Sequence, residues 1–272
     1  MLLSDSSWPE IQAYLSHSRA IVIPIGSTEQ HGPVGIIGTD AATAGAIALA
    51  LGDRTGVLVA PTLALSVERF NLGFPGTIAL RASTLMAVVI DCLESLAAQG
   101  FETIYFLNRH GGNIAPVGAA TQDFYFDWSS GRRTGRCQCC RFRNWWEYPE
   151  VDRLRQQWWG AHEGLHATPS EISIVLAEQP TSSRLFNSAS APLARQAPTP
   201  IPPGFARDYG GDNHFEARVH QQAFPDGRVG SHSMLATAQQ GAPADRKRRL
   251  RGRRRPPGAD RRLSSGREET LR

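Results

Sequence analysis

Four cysteines in 272 residues, three of them bunched as Cys137, Cys139 and Cys140, give no extracellular disulfide framework. They also lack the repeated Cys/His spacings of a zinc knuckle, so "RCQCCRF" reads as a strand with small buried thiols. No apolar run reaches the roughly 18 residues of a bilayer span. The start, "MLLSDSSWPEIQ", has no basic segment leading into an apolar stretch. A soluble, cytoplasmic protein with no membrane partner is expected. No internal repeat is present. Basic excess is confined to residues 242–272, which hold 12 Lys/Arg against 4 Asp/Glu, so the overall +4 belongs to this segment and the remainder is net acidic. Interleaved aromatics are missing from it, so specific nucleic-acid recognition is not expected, and its polarity predicts disorder.

With 41% hydrophobic residues, the remainder can bury a core of one large α/β domain. Strand-like and helix-like runs alternate, the pattern of parallel strands joined by crossover helices. "AIVIPI" reads as a strand, "DAATAGAIALAL" as a helix and "GVLVAP" as a strand. "STLMAVVIDCLESLAAQG" is a helix opened by a serine cap and closed by Gly100, and "TIYFLN" is a strand. A strand and a Trp-rich connection follow in "RTGRCQCCRFRNWWEYPEV". A last clear helix starts in "HATPSEISIVLAEQ", with Thr168 as cap, Pro169 at its first position and Glu171 where a capping-box glutamate stands.

Ligands of such sheets bind beyond the carboxyl ends of the strands. The loop after "IVIPI" carries Glu29, His31 and Asp40, and the loop after "IYFLN" reads "NRHGGN" with His110. Two carboxylates and two imidazoles form the oxygen and nitrogen donor mix that Zn²⁺, Mn²⁺ or Fe²⁺ accepts. In extended backbone Glu29 and His31 point to one side, and Asp40, returning after the loop, is a natural carboxylate to share between two cations. Each residue also has an ordinary alternative: Asp40 as the cap of the next helix, His31 and His110 as loop residues. "NLGFPGT", Asn71 to Thr77, is a candidate wall of the same cleft.

The succession "IPIGSTEQHGP", "GTD", "LGFPGT", "HGGN" and "HATPSEIS" resembles, in order and spacing, the creatininase (creatinine amidohydrolase) family over roughly residues 15–240. The resemblance implies a single α/β domain over residues 1–241, with a mainly parallel sheet flanked by helices on both faces, followed by the basic segment. It further implies a homohexamer and hydrolysis of a C–N bond in a small-molecule amide, dependent on two divalent metal ions. Carried over by motif, Glu29 and His110 serve one metal, His31 the other, and Asp40 bridges them. Glu171 is the candidate extra carboxylate for the second metal and a catalytic residue, with its capping role the alternative. His166 matches the family's acid/base histidine, an imidazole suited to titrating near neutrality.

Three positions depart from the family pattern. Arg109 stands where glycine usually precedes the metal histidine, which predicts either repulsion of a metal or a disfavoured backbone angle. Val34 replaces a frequent second histidine, and Gly112 takes the place of the glutamate of creatinine-hydrolysing members. After "LAT" the expected amphipathic closing helix is replaced by Arg-rich sequence. A rival reading is a catalytically impaired relative whose basic segment binds a polyanion.

Overall fold

A computed structural model describes residues 1–133, 138–201 and 216–242. The basic segment from residue 243 and Cys137 lie outside the described residues, so the expected disorder there is not addressed. Four strands, β1 (Ala20–Ile25), β2 (Leu58–Val59), β3 (Thr103–Asn108) and β4 (Cys139–Asn144), form one parallel sheet in the order β2-β1-β3-β4. Residues alternate between its faces, as strand geometry requires. Ile21, Ile23, Ile25, Ile104 and Phe106 join one core cluster, Val22, Val59 and Leu107 the other.

Helices cover both faces, which is why the strands read as nearly continuous apolar runs. On the first face lie α1 (Trp8–Leu15), α3 (Ala82–Ala98) and α4 (Ile114–Ser129), inserting Ile11, then Leu85, Val89 and Leu93, then Val117, Ala120 and Phe124. The four-residue spacing of the α3 set is one helical stripe. On the second face lie α2 (Thr39–Thr55), α5 (Pro149–Trp158) and α6 (Pro169–Glu178), contributing Ala48, Val151 and Ile174. Each fully buried residue such as Phe106 contributes about 1.5–3 kcal/mol.

Several details correct the expectations. Helix α3 has Arg81 at its N-cap and no side-chain capping bond, so Ser83 lies inside it. Gly100 does follow its end, with φ 97°. Helix α2 is capped by Gly38, which places Asp40 in the first turn with its carboxylate free to turn away from the helix. Strand β2 is two residues long because Gly56 and Pro61 bracket it closely, although Leu63 makes a further bridge to Ile25. Cys139 and Cys140 do lie on β4, half-buried rather than in the core. After Thr237 the chain forms a short helix, Ala238–Gly241, before the described residues end. No helix among the described residues is long and apolar enough to cross a membrane.

Candidate metal centre

The site begins with strand register. Ile25 pairs with Asn108 and Asn108 with Asn144, so three strands end on one row. The next residues therefore emerge side by side: Arg109 N donates to Ile25 O at 2.9 Å. Gly26 lets β1 finish directly against α2, since a Cβ there would stand 2.5 Å from Ala41 N. That close approach brings Asp40 to the rim. Asn113 ties the two loops together, donating to Gly26 O at 3.0 Å and to Asn108 Oδ1 at 3.1 Å.

The two imidazoles are oriented alike. His31 donates Nδ1–H to Glu29 O at 3.1 Å, which leaves Nε2 facing Asp40 Oδ1 at 3.0 Å. His110 donates Nε2–H to Val67 O at 2.9 Å, and its Nδ1 faces Asp40 Oδ2 at 3.0 Å and Glu29 Oε1 at 2.8 Å. Metal-binding histidines characteristically have their other nitrogen fixed in this way. Asp40 thus presents one oxygen to each ring. Glu171 divides its carboxylate too: Oε1 accepts from Thr168 N, completing the capping box of α6, while Oε2 lies 3.8 Å from His31 Nε2. Its two anticipated roles are compatible because they use different oxygens.

Two donor sets result, Glu29 with Asp40 and His110, and His31 with Asp40 and Glu171, each with its atoms within 4.8 Å of one another. Glu29, His31 and His166 form a third grouping by the same measure. His166 donates Nε2–H to Gln30 O at 2.8 Å, and its ring centroid lies 4.5 Å from that of His31. Ala167, beside it, is buried at φ 58°, a left-handed conformation that aims the flanking His166 and Thr168 in different directions.

At Asp40, Glu29 and His110 burial opposes charge, and the neighbours decide the outcome. Burial raises Asp40, but the charges of His31 and Arg109 hold it well below the usual carboxylate range. Burial likewise raises Glu29, and His110 and His166 bring it below its ordinary value. Burial lowers His110, yet Glu29 and Asp40 carry it well above the ordinary imidazole value. At His166 burial and the charge of His31 outweigh the carboxylates of Glu29 and Asp40 and push it down to about 4, so it is uncharged at neutral pH rather than titrating there. Burial pushes Glu68 up to about 7 despite His110, whose Nε2 lies 3.4 Å from it.

The creatininase (creatinine amidohydrolase) family matches residues 4–244. The chain belongs to that family. A mycofactocin precursor peptide peptidase of Mycolicibacterium smegmatis is 29% identical over 184 residues, 65% of this chain and 66% of that protein. A creatinine amidohydrolase of Pseudomonas putida is 29% identical over 119 residues, 42% of this chain and 46% of that protein. The chain therefore spans between about half and two thirds of these curated relatives. A solved structure described as creatininase Mn superposes with TM-score 0.70 at 20% identity, covering 88% of this chain and 91% of that one, which shows the shared fold.

Within the creatininase fold the departures acquire physical reasons. A Cβ at Gly112 would stand 1.9 Å from Val67 O and 2.5 Å from His110 Nε2, so no glutamate fits there. Val34 is buried as an apolar residue. Arg109 has ordinary backbone, because Ala167 is the positive-φ non-glycine residue among those described. Its guanidinium turns into the centre, where Nη2 pairs with Glu171 Oε2 and Nη1 lies 3.9 Å from Asp40 Oδ1. Trp145 and Trp146, just past the end of β4, stack on it with ring centroids 5.2 and 5.6 Å from Cζ. Arg109 borders both the donor cluster and an adjoining cavity of about 560 Å³ lined by Ile114, Trp145, Trp146, Arg155 and Leu165.

Other supporting residues carried no visible signal. Asn71, from the loop expected to wall the cleft, donates to Glu29 Oε2, and Ser27 Oγ donates to Asp40 Oδ2 at 2.9 Å. Gln30 Nε2 donates to Asn71 Oδ1 at 2.7 Å and Gly227 O at 2.9 Å, tying the first loop to a segment nearly 200 residues away. Glu68 is a further buried carboxylate beside His110, and nothing in "LSVERF" distinguishes it from a surface glutamate.

Proposed function

We propose that the chain is a divalent-metal-dependent hydrolase cleaving a C–N bond in a small cyclic or linear amide. The donors of the metal centre are Glu29, Asp40 and His110 in one set and His31, Asp40 and Glu171 in the other, with Zn²⁺, Mn²⁺ or Fe²⁺ suited to them. The observation that carries this reading is the aim of the two imidazoles. Nε2 of His31 and Nδ1 of His110 both converge on Asp40 at 3.0 Å while their opposite nitrogens are spent on backbone carbonyls. When bound, divalent cations supply Lewis-acid polarisation of the amide carbonyl and lower the pKa of water.

The chain's own residues handle the proton. His166 has its Nε2–H committed to Gln30 O, so Nδ1 is its basic nitrogen, and the uncharged ring accepts there the proton that water gives up. The same nitrogen returns it to the departing amine. Glu171, oriented by the helix cap through its other oxygen, directs Oε2 into the centre.

A peptide bond is the second reading, favoured by the likeness to the M. smegmatis peptidase and by the roomy cavity beside Arg109. Metal-loaded protein incubated with a panel of small amides and short peptides distinguishes the two. Metal content below about a tenth of an equivalent after refolding with Zn²⁺ or Mn²⁺ defeats both. The family resemblance also implies a homohexamer, and exposed Trp8 and Phe126 are apolar surface that an assembly would cover. Light scattering after size exclusion measures it.

A further inference from the structure

The two donor sets differ because a cation of the chain's own reaches into one of them. Arg109 engages Glu171 Oε2 and approaches Asp40 Oδ1, and these belong to the set completed by His31. The other oxygen of Glu171, Oε1, accepts from Thr168 N. In the other set, Asp40 contributes Oδ2, opposite the oxygen Arg109 approaches, beside Glu29 and His110.

We propose that Arg109 is a built-in replacement for the second metal: one divalent ion binds tightly at Glu29, Asp40 and His110, while the guanidinium supplies the positive charge at His31, Asp40 and Glu171. This rests on the metal-centre reading above. Charge supports it. Three ionised carboxylates, one divalent ion and one guanidinium are neutral together, whereas a second divalent ion beside the guanidinium leaves two positive charges in excess. The side chains of Glu29, Asp40 and Glu171 are at most 3% exposed, so such an excess meets little screening. Withdrawal of the guanidinium is opposed from behind, because Trp145 and Trp146 both stack on it and its backbone is fixed to Ile25 O. Arginine suits this post better than lysine, since its planar group can stack and pair at once.

The test is metal stoichiometry, read by titration calorimetry and elemental analysis on chelator-stripped full-length protein reloaded with Zn²⁺, and by the absorption spectrum with Co²⁺. Wild type is expected to take one tight equivalent, with any second at least about a hundredfold weaker. Arg109→Met keeps an apolar stem against the tryptophans without the charge, and should take two equivalents of comparable affinity. Arg109→Gly should do the same, and Arg109→Lys, which retains charge, should remain at one. Glu171→Gln in the wild-type background should leave the tight equivalent in place. Two matched equivalents in wild type overturn the proposal, as does a single equivalent in both Arg109→Met and Arg109→Gly. Absence of uptake by every protein overturns the metal-centre reading and this proposal with it.

Discussion

Asp40→Asn tests the shared carboxylate. The substitution keeps the shape of a side chain in a residue only 2% exposed, and exchanges one charged acceptor for an amide. In wild type, Asp40 accepts from Ser27 and faces His31, His110 and the Arg109 guanidinium. Its depressed pKa means that these cationic partners outweigh burial and the neighbouring carboxylates. Removing one partner from a buried ionic network costs about 3–5 kcal/mol, and the retained Ser27 contact favours the lower end. At about 2–4 °C per kcal/mol for a domain of this size, chelator-stripped Asp40→Asn should melt about 6–12 °C below stripped wild type. Affinity for the metal at Glu29, Asp40 and His110 should fall by more than the roughly 10–100-fold typical of losing an outer partner. Differential scanning calorimetry and competition with a chromogenic chelator measure the two effects. A stripped variant that melts above wild type would mean that carboxylate repulsion dominates. An unchanged affinity would mean that Asp40 is not a ligand of that metal.

Three further outcomes follow from the geometry. His166 is held at about 4 against an ordinary value of 6.5, so the unfolded chain takes up its proton first as pH falls. Its contribution to stability is present above pH 6.5 and is lost between there and about pH 4, by about 3 kcal/mol. In His166→Gln, acid melts of stripped protein should show a shallower limb, and hydrolysis should fall about 10²–10⁴-fold. Gly112→Ala forces a Cβ into Val67 O and His110 Nε2, and should weaken metal binding at the His110 set, read by chelator competition, while lowering the melting temperature. Ala167→Val places a β-branched residue at φ 58° in a fully buried position and should cost at least about 2 kcal/mol by denaturant melts, whereas Ala167→Gly should be near neutral.

Elements whose determinants are local were readable in the chain. "AIVIPI" and "TIYFLN" form β1 and β3 with the expected limits, and Thr168, Pro169 and Glu171 open α6 as their types require. Helix α4 has no clear signature in the sequence, because Pro116, Gly118 and Thr121 blur its period and only packing against α3 settles it. Asp40 illustrates a divided signal: an aspartate beside a helix start looks like a cap, but Gly38 takes that place and the carboxylate serves His31 and His110. The Arg109 partnership depends on β4 ending level with β3 so that Trp145 arrives beside it, a distance in sequence that no local pattern spans.

The common row formed by Ile25, Asn108 and Asn144 has a consequence for folding as well as for binding. A slip of one residue in β3 would turn Phe106 out of its core and carry His110 away from Asp40 in the same movement, because strand side chains alternate. Chains with a misaligned sheet would therefore be unable to assemble the donor cluster. Metal capture then serves as a reporter of correct strand alignment, marking out the properly paired molecules in a refolding mixture.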